Sequence, residues 1–309
     1  MRLGVDLGGT KIEIIALGDE GQILYRERVA TPRSDYSAVL GAVAQLVAAA
    51  EDVLGQRGTL GMAIPGALSV RTGLVKNANS TALIGHPIDG DLAALVGRPV
   101  RVANDANCFA LSEATDGAAR DGRVVFGVIA GTGIGGGLCV GGRLVEGAHR
   151  IAGEWGHNPL PAPDPSEIPG SLCYCGRRGC IETWISGPAL ARQFAHATGR
   201  ELDAAEIARA SQGGDPAAQT AMALLLDRFA RAVALLVNIL DPDVIVLGGG
   251  LSNIDRLVQE LPARVEAYAF APEGRTRIVK NTHGDSSGVR GAAWLWGADE
   301  FEAGLPRSA

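Results

Sequence analysis

Basic residues are outnumbered in this chain, 28 Lys and Arg against 34 Asp and Glu. The net charge of −6 and isoelectric point near 5.4 leave no cationic footprint for nucleic acid. No apolar run approaches the ~20 residues of a membrane span, so no membrane partner is expected. The start, Met1-Arg2-Leu3-Gly4-Val5-Asp6-Leu7, enters a strand pattern with no basic region, apolar stretch or cleavage site. That sets aside a signal peptide and points to the cytoplasm. Cysteine is scarce. Five residues, an odd count with three clustered, exclude a disulfide framework and suit metal binding in a reducing compartment. What remains is a globular composition of 309 residues, 47% hydrophobic and 20% charged, enough for one large or two ordinary domains.

The clustered cysteines are the most informative stretch. Between Glu154 and Glu182 the sequence reads E-W-G-H-N-P-L-P, a proline-rich interval, then C-Y-C-G-R-R-G-C-I-E. His157, Cys173, Cys175 and Cys180 are the nitrogen and sulfur ligand types zinc prefers. Four of them fill a tetrahedral site with no open position, which marks a structural Zn²⁺ and not a hydrolytic one. Gly176 and Gly179 sit inside the C-x-C-x4-C knuckle, where the chain must turn tightly to bring three sulfurs onto one ion. Glu154 and Glu182 flank the ligands, so whatever fixes the ligands also fixes two acceptors for a polyhydroxylated molecule. The alternative, small buried hydrophobes and a satisfied core histidine, fits three cysteines within eight residues poorly.

From the N-terminus, residues 3–7, 12–17 and 23–29 are apolar runs separated by turn signals, a β-meander. The first turn, Gly8-Gly9-Thr10-Lys11, can bring backbone N–H groups close to phosphate while Lys11 or Thr10 adds a charge or donor. It is not a Walker A loop, because the threonine precedes the lysine and a strand follows. Ser34 can cap a helix over 35–54, with Gly55 as its stop. A strand at Thr59–Ile64 leads to a polar loop over 75–81, including Asn79, whose amides suit sugar hydroxyls and equally suit turns.

A strand at 100–103 delivers Asn104-Asp105-Ala106-Asn107 at its C-terminal end, where α/β folds place ligands. Asp105 can there be a catalytic acid or a helix N-cap. The strand Val124–Ala130 feeds Gly131-Thr132-Gly133-Ile134-Gly135-Gly136-Gly137. These glycines match G-x-G-x-x-G, but a hairpin and not a helix follows, which discounts a dinucleotide site. Two glycine turns, each inside a meander in a different half of the chain, suggest a duplicated domain. Helices open at Ser186-Gly187-Pro188, at the Asp203 to Glu206 capping box, and at Asp215-Pro216, the last running to about 240. A strand over 244–247 feeds Gly248-Gly249-Gly250, bare backbone for a flat ligand or simply a loop into a helix near Asn253. An apolar helix then runs through Trp296.

In this order the motifs resemble the ROK family of sugar kinases, within the actin, Hsp70 and hexokinase-like superfamily, over residues 3–296. D-L-G-G-T-K looks like the first phosphate loop, G-T-G-I-G-G-G the second, L-G-G-G-L-S-N the adenosine loop and N-D-A-N the catalytic-acid segment. E-W-G-H with C-Y-C-G-R-R-G-C-I-E looks like the sugar and zinc region. The resemblance implies an α/β fold of two ribonuclease H-like domains around a cleft. One would span 1–103, completed by a C-terminal helix at about 286–298; the other would span 104–285 and hold the zinc segment 157–180.

The resemblance also implies ATP with Mg²⁺ and a homodimer. Asp105 would be the general base toward a sugar hydroxyl, with Asn79, Asn104, Glu154, His157 and Glu182 holding the ring. Asp6 would position Mg²⁺ through water; Gly8, Gly9, Thr10 and Lys11 with Gly131, Thr132 and Gly133 would grip the phosphates, and Gly248 and Gly249 would face the adenosine. His157 would serve twice, one ring nitrogen on zinc and the other toward a sugar hydroxyl.

The five prolines between His157 and Cys173, and Asn158 where relatives of the glucokinase and N-acetylglucosamine kinase branches often carry methionine, look most like fructokinase and manno(fructo)kinase. The expected product is therefore fructose 6-phosphate, with mannose or glucose as secondary substrates and N-acetylglucosamine kinase or glucokinase as the alternative. A sugar-responsive repressor of the same family needs an N-terminal DNA-binding segment, and Asp6 at the sixth position leaves no room for one. A zinc-ribbon interaction module with a degenerate ATPase body is disfavoured because Asp6, Thr10, Lys11, Asp105 and both flanking glutamates are all present, and a non-catalytic sugar-binding regulator ranks below the kinases.

Overall fold

A computed structural model describes residues 1–32, 35–78, 81–271 and 276–297. It divides into two compact units, one of Met1–Gly117, Arg143–Ala152 and the chain from Asp285 onward, the other of Ala118–Gly142 and Gly153–Gly284.

The first unit is built on a five-stranded sheet in the order Ile23–Ala30, Lys11–Leu17, Arg2–Leu7, Thr59–Ile64, Val100–Asn104. The first three strands form the antiparallel meander, and the last two join in parallel. Strands Arg2–Leu7 and Thr59–Ile64 are apolar on both faces because both faces are covered. One face packs the helix Tyr36–Leu54 through Val39, Leu40, Val43, Leu46 and Val47. By length and composition that helix would pass for a membrane span, but Gln45 and Asp52 on its other face are exposed. Its N-cap is Asp35, whose carboxylate accepts the Ala38 N–H at 3.0 Å, while Ser34, expected as the cap, lies outside the described residues.

The other face carries Asp105–Thr115 and the C-terminal helix Ser287–Trp294. These two helices touch backbone to backbone. A Cβ at Gly291 would lie 1.7 Å from the Cys108 carbonyl oxygen, so no other residue fits there. Ser287 Oγ donates to Glu113 at 2.8 Å, and Arg290 pairs with Asp116 and donates to the Gly21 carbonyl. This contact puts the helix Asp105–Thr115 in the same compact unit as the C-terminal helix.

The second unit repeats the pattern. Val124–Ala130 pairs antiparallel with Ile134–Val140 and parallel with Val244–Gly248, which pairs parallel with Arg277–Lys280. The duplication expected from the two glycine turns is therefore a repeat of topology. The second turn is shorter than the glycine run: Gly135, Gly136 and Gly137 lie in the strand, and only Gly131-Thr132-Gly133 forms the loop. The core lies between this sheet and the 25-residue helix Pro216–Leu240, around Phe194, Met222, Phe229 and Val233.

Candidate active site and metal centre

In the first unit the Gly8 to Lys11 turn is closed by Gly8 N–H donating to the Lys11 carbonyl at 3.0 Å, and Thr31 Oγ1 donates to the Gly8 carbonyl at 2.8 Å. Gly9, Thr10 and Lys11 stay exposed. Asp6 stands at the end of the adjoining strand. Burial, followed by the charges of Asp105 and Glu13, pushes its carboxyl up to about 7. Glu13 is itself buried and ion-paired to Arg26 and Arg28 at 2.7 Å each. A partly buried acid raised by burial and then by two neighbouring acids is a site where a divalent cation lowers the electrostatic cost, so the residues fit Mg²⁺.

Asp105 resolves as the first residue of its helix, not the cap. Asn104 is the cap, accepting the Ala106 N–H at 2.9 Å through Oδ1 and donating from Nδ2 to the Gly66 carbonyl at 3.2 Å. The carboxylate of Asp105 is exposed beside the helix N-terminus, where a negative charge is favoured, and its Oδ1 shares the Ala106 N–H at 2.8 Å. Asn79 lies outside the described residues.

In the second unit His157, Cys173, Cys175 and Cys180 converge, their four ligand atoms all within 4.8 Å of one another. His157 Nδ1 lies 3.5 Å from Cys173 Sγ, and Cys175 Sγ lies 3.6 Å from Cys180 Sγ. A tetrahedral ion with Zn–S bonds of about 2.3 Å requires edges of about 3.8 Å, so the donor set fits zinc. Backbone and side-chain hydrogen bonds from Arg177 hold the Cys175 thiol down to about 6, toward the thiolate that binds metal. Gly176 and Gly179 adopt φ 85° and 71° to close the knuckle. Cys173 N–H donates to the Arg177 carbonyl at 2.8 Å, and Ile181 N–H to the Asn158 carbonyl at 2.8 Å.

The two nitrogens of the imidazole have different neighbours. Nδ1 turns to the sulfurs, while Nε2 lies 3.9 Å from Glu154 Oε2 and 2.8 Å from the Tyr174 hydroxyl. Glu182 begins the helix Glu182–Ile185 directly behind the knuckle. Its Oε2 accepts the Ile134 N–H at 2.9 Å, and its Oε1 lies 4.0 Å from Cys173 Sγ. Tyr174 and this bond to Ile134 were not singled out from the sequence. Tyr174 was visible there as the one residue between two cysteine ligands.

Gly131 and Thr132 line a cavity of about 790 Å³ with Gly187, Pro188, Ala205 and Asn253, a volume suited to a nucleotide-sized ligand. Of the triple glycine, Gly250 lines it. Gly248 ends its strand, and Gly249 turns at φ 79° so close to Ala130 that a Cβ would lie 2.5 Å from that carbonyl oxygen.

The profile of the ROK family matches residues 2–299. This chain belongs to the ROK family. It is 42% identical over 299 residues to the N-acetyl-D-glucosamine kinase of Yersinia pseudotuberculosis, covering 96% of this chain and 98% of that one. The enzyme of that name from Pectobacterium atrosepticum is 41% identical over the same shares. Among solved structures, a ROK hexokinase from Thermus thermophilus is 34% identical with a TM-score of 0.85, covering 94% of this chain and 96% of that one. A ROK glucokinase from Streptomyces griseus in complex with glucose and AMPPNP is 30% identical with a TM-score of 0.76, covering 95% and 98%. The α/β fold of the hexokinase-like superfamily follows from these.

Proposed function

We propose that this chain is an ATP-dependent sugar kinase that transfers the γ-phosphoryl group to the 6-hydroxyl of a hexose, with N-acetylglucosamine as its preferred acceptor. The carrying observation is the 42% identity to N-acetyl-D-glucosamine kinases across 96% of the chain. It favours the alternative sugar over fructose. The contacts of the proline-rich interval are compatible with this reading. Arg231 donates to the carbonyls of Pro161 and Ala162, and both Arg228 and Arg231 hold Glu167. The proline-rich interval is thus tied to the helix Pro216–Leu240, and Asn158 contributes a backbone carbonyl to the knuckle. These prolines have a structural role that does not require them to read a sugar.

Asp105 accepts the proton of the attacking hydroxyl, for which an exposed carboxylate at a helix start is suited. Glu154, His157 and Glu182 hold the sugar, Asn104 stabilises the segment that presents Asp105, and Gly8 to Lys11 with Gly131 to Gly133 hold the phosphates through backbone N–H groups. Asp6 would hold Mg²⁺, which would supply neutralisation of phosphate charge, and His157, Cys173, Cys175 and Cys180 would hold zinc, which would supply a fixed orientation for the His157 imidazole.

The test is ATP consumption by the purified protein with N-acetylglucosamine, glucose, fructose, mannose and N-acetylmannosamine, compared by kcat/KM. N-acetylglucosamine should lead. Fructose in front would reinstate the first expectation, and no turnover with any sugar would remove the kinase reading.

A further inference from the structure

The Nε2 edge of His157 is already engaged. Tyr174 lies between Cys173 and Cys175, so its backbone is held on both sides by ligand positions, yet the residue is 80% exposed. Its hydroxyl lies 2.8 Å from Nε2, and its ring meets the imidazole edge-on with centroids 4.9 Å apart. With Nδ1 directed to the sulfurs, Nε2 carries the ring proton and offers one N–H. In the proposed function that N–H is what a sugar hydroxyl uses. The phenol and the sugar therefore compete for one donor.

We propose that Tyr174 is a gate on sugar affinity: its hydroxyl occupies His157 Nε2 until a sugar hydroxyl replaces it. This rests on the reading of His157 as a sugar-holding residue. An exposed tyrosine changes rotamer within nanoseconds, so opening costs mainly the hydrogen bond given up. A net bond of about 0.5–1.5 kcal/mol corresponds to a two- to tenfold weakening of any sugar that must displace the phenol. A sugar lacking the hydroxyl that meets Nε2 leaves Tyr174 in place and escapes this penalty.

The experiment compares the zinc-loaded wild type with Tyr174→Phe, which keeps the ring and removes only the hydroxyl. Both are assayed with the best-used sugar and its monodeoxy analogues. The variant should show a two- to tenfold lower KM for the parent sugar, with kcat and the KM for ATP within twofold, and with bound zinc and thermal midpoint unchanged. For one monodeoxy analogue, the one lacking the hydroxyl that meets Nε2, the variant and wild type should agree. An unchanged or raised KM for the parent sugar, or a uniform effect on every analogue, overturns the gate. Because the comparison uses whichever sugar the wild type prefers, a preference other than N-acetylglucosamine defeats the proposed substrate without touching the gate. If no sugar is turned over, the same comparison is made by titration calorimetry, where equal affinities or no binding also overturn it.

Discussion

Glu182 Oε2 accepts the backbone N–H of Ile134 at 2.9 Å, which ties a residue two positions past the cysteine knuckle to the residue after the Gly131-Thr132-Gly133 loop. The fit leaves no spare room, since a Cβ at Gly133 would lie 2.6 Å from that oxygen. The loop and the cysteine cluster therefore share one carboxylate. Gly133→Ala should displace Glu182 and raise the KM for ATP roughly tenfold, the scale of one hydrogen bond to a charged group, while bound zinc stays stoichiometric. An unchanged KM for ATP would show that the tether carries nothing.

The zinc cluster should couple to the sugar through His157. Cys175→Ser removes one of four ligands and should lose both the metal, measured by atomic emission, and most of the sugar affinity. A zinc-free variant with a normal KM for sugar would separate the knuckle from substrate recognition.

Asn104 and Asp105 are adjacent but do different work. Asp105→Ala should retain sugar binding by calorimetry and lose about 10²- to 10⁴-fold in kcat, the usual contribution of a positioned base. Asn104→Ala should instead cost about 1 kcal/mol in denaturant unfolding, because it removes the cap of Asp105–Thr115. If Asp105→Ala kept near-normal turnover, its role as base would fall.

Glu167 supplies a pH dependence of stability. Burial pushes its carboxyl up, but hydrogen bonds and charge from Arg231 and Arg228 outweigh that and hold it down to about 2. Because the folded value lies below the ordinary 4.5, its stabilisation is complete above pH 4.5 and is lost as pH falls toward 2. The shift corresponds to about 3 kcal/mol. Glu167→Gln should flatten the wild-type loss of stability over this window, and should destabilise the protein by about 3 kcal/mol at neutral pH by leaving buried Arg228 without a charged partner and Arg231 with Asp227 alone. An acid-denaturation curve identical to wild type would refute the assignment.

Much of this was legible in the chain because it depended on local chemistry. Short apolar runs closed by glycine marked both meanders, Asp-Pro and the capping boxes marked helix starts, and four zinc-type ligands around two glycines marked the metal centre. The helix Ile88–Val96 and the strand Arg277–Lys280 were missed because each is short and takes its identity from packing against a sheet already formed. Proline spacing and Asn158 pointed to fructose, whereas the relatives similar over the whole chain are N-acetyl-D-glucosamine kinases; that Arg231 and Arg228 tie this interval to the helix behind it is visible only in the fold.

The sequence by itself determined the family, the group of four zinc-type side chains and the candidate acids, because residue type and spacing alone carry donor chemistry and turn geometry. Only the tertiary structure decided that Asn104 caps and leaves Asp105 exposed, that Glu182 meets Ile134, and that Tyr174 reaches His157. The reason is distance. Glu182 and Ile134 lie 48 residues apart, Tyr174 and His157 17 apart, and a 2.8–2.9 Å hydrogen bond between such residues exists only once the chain between them is folded.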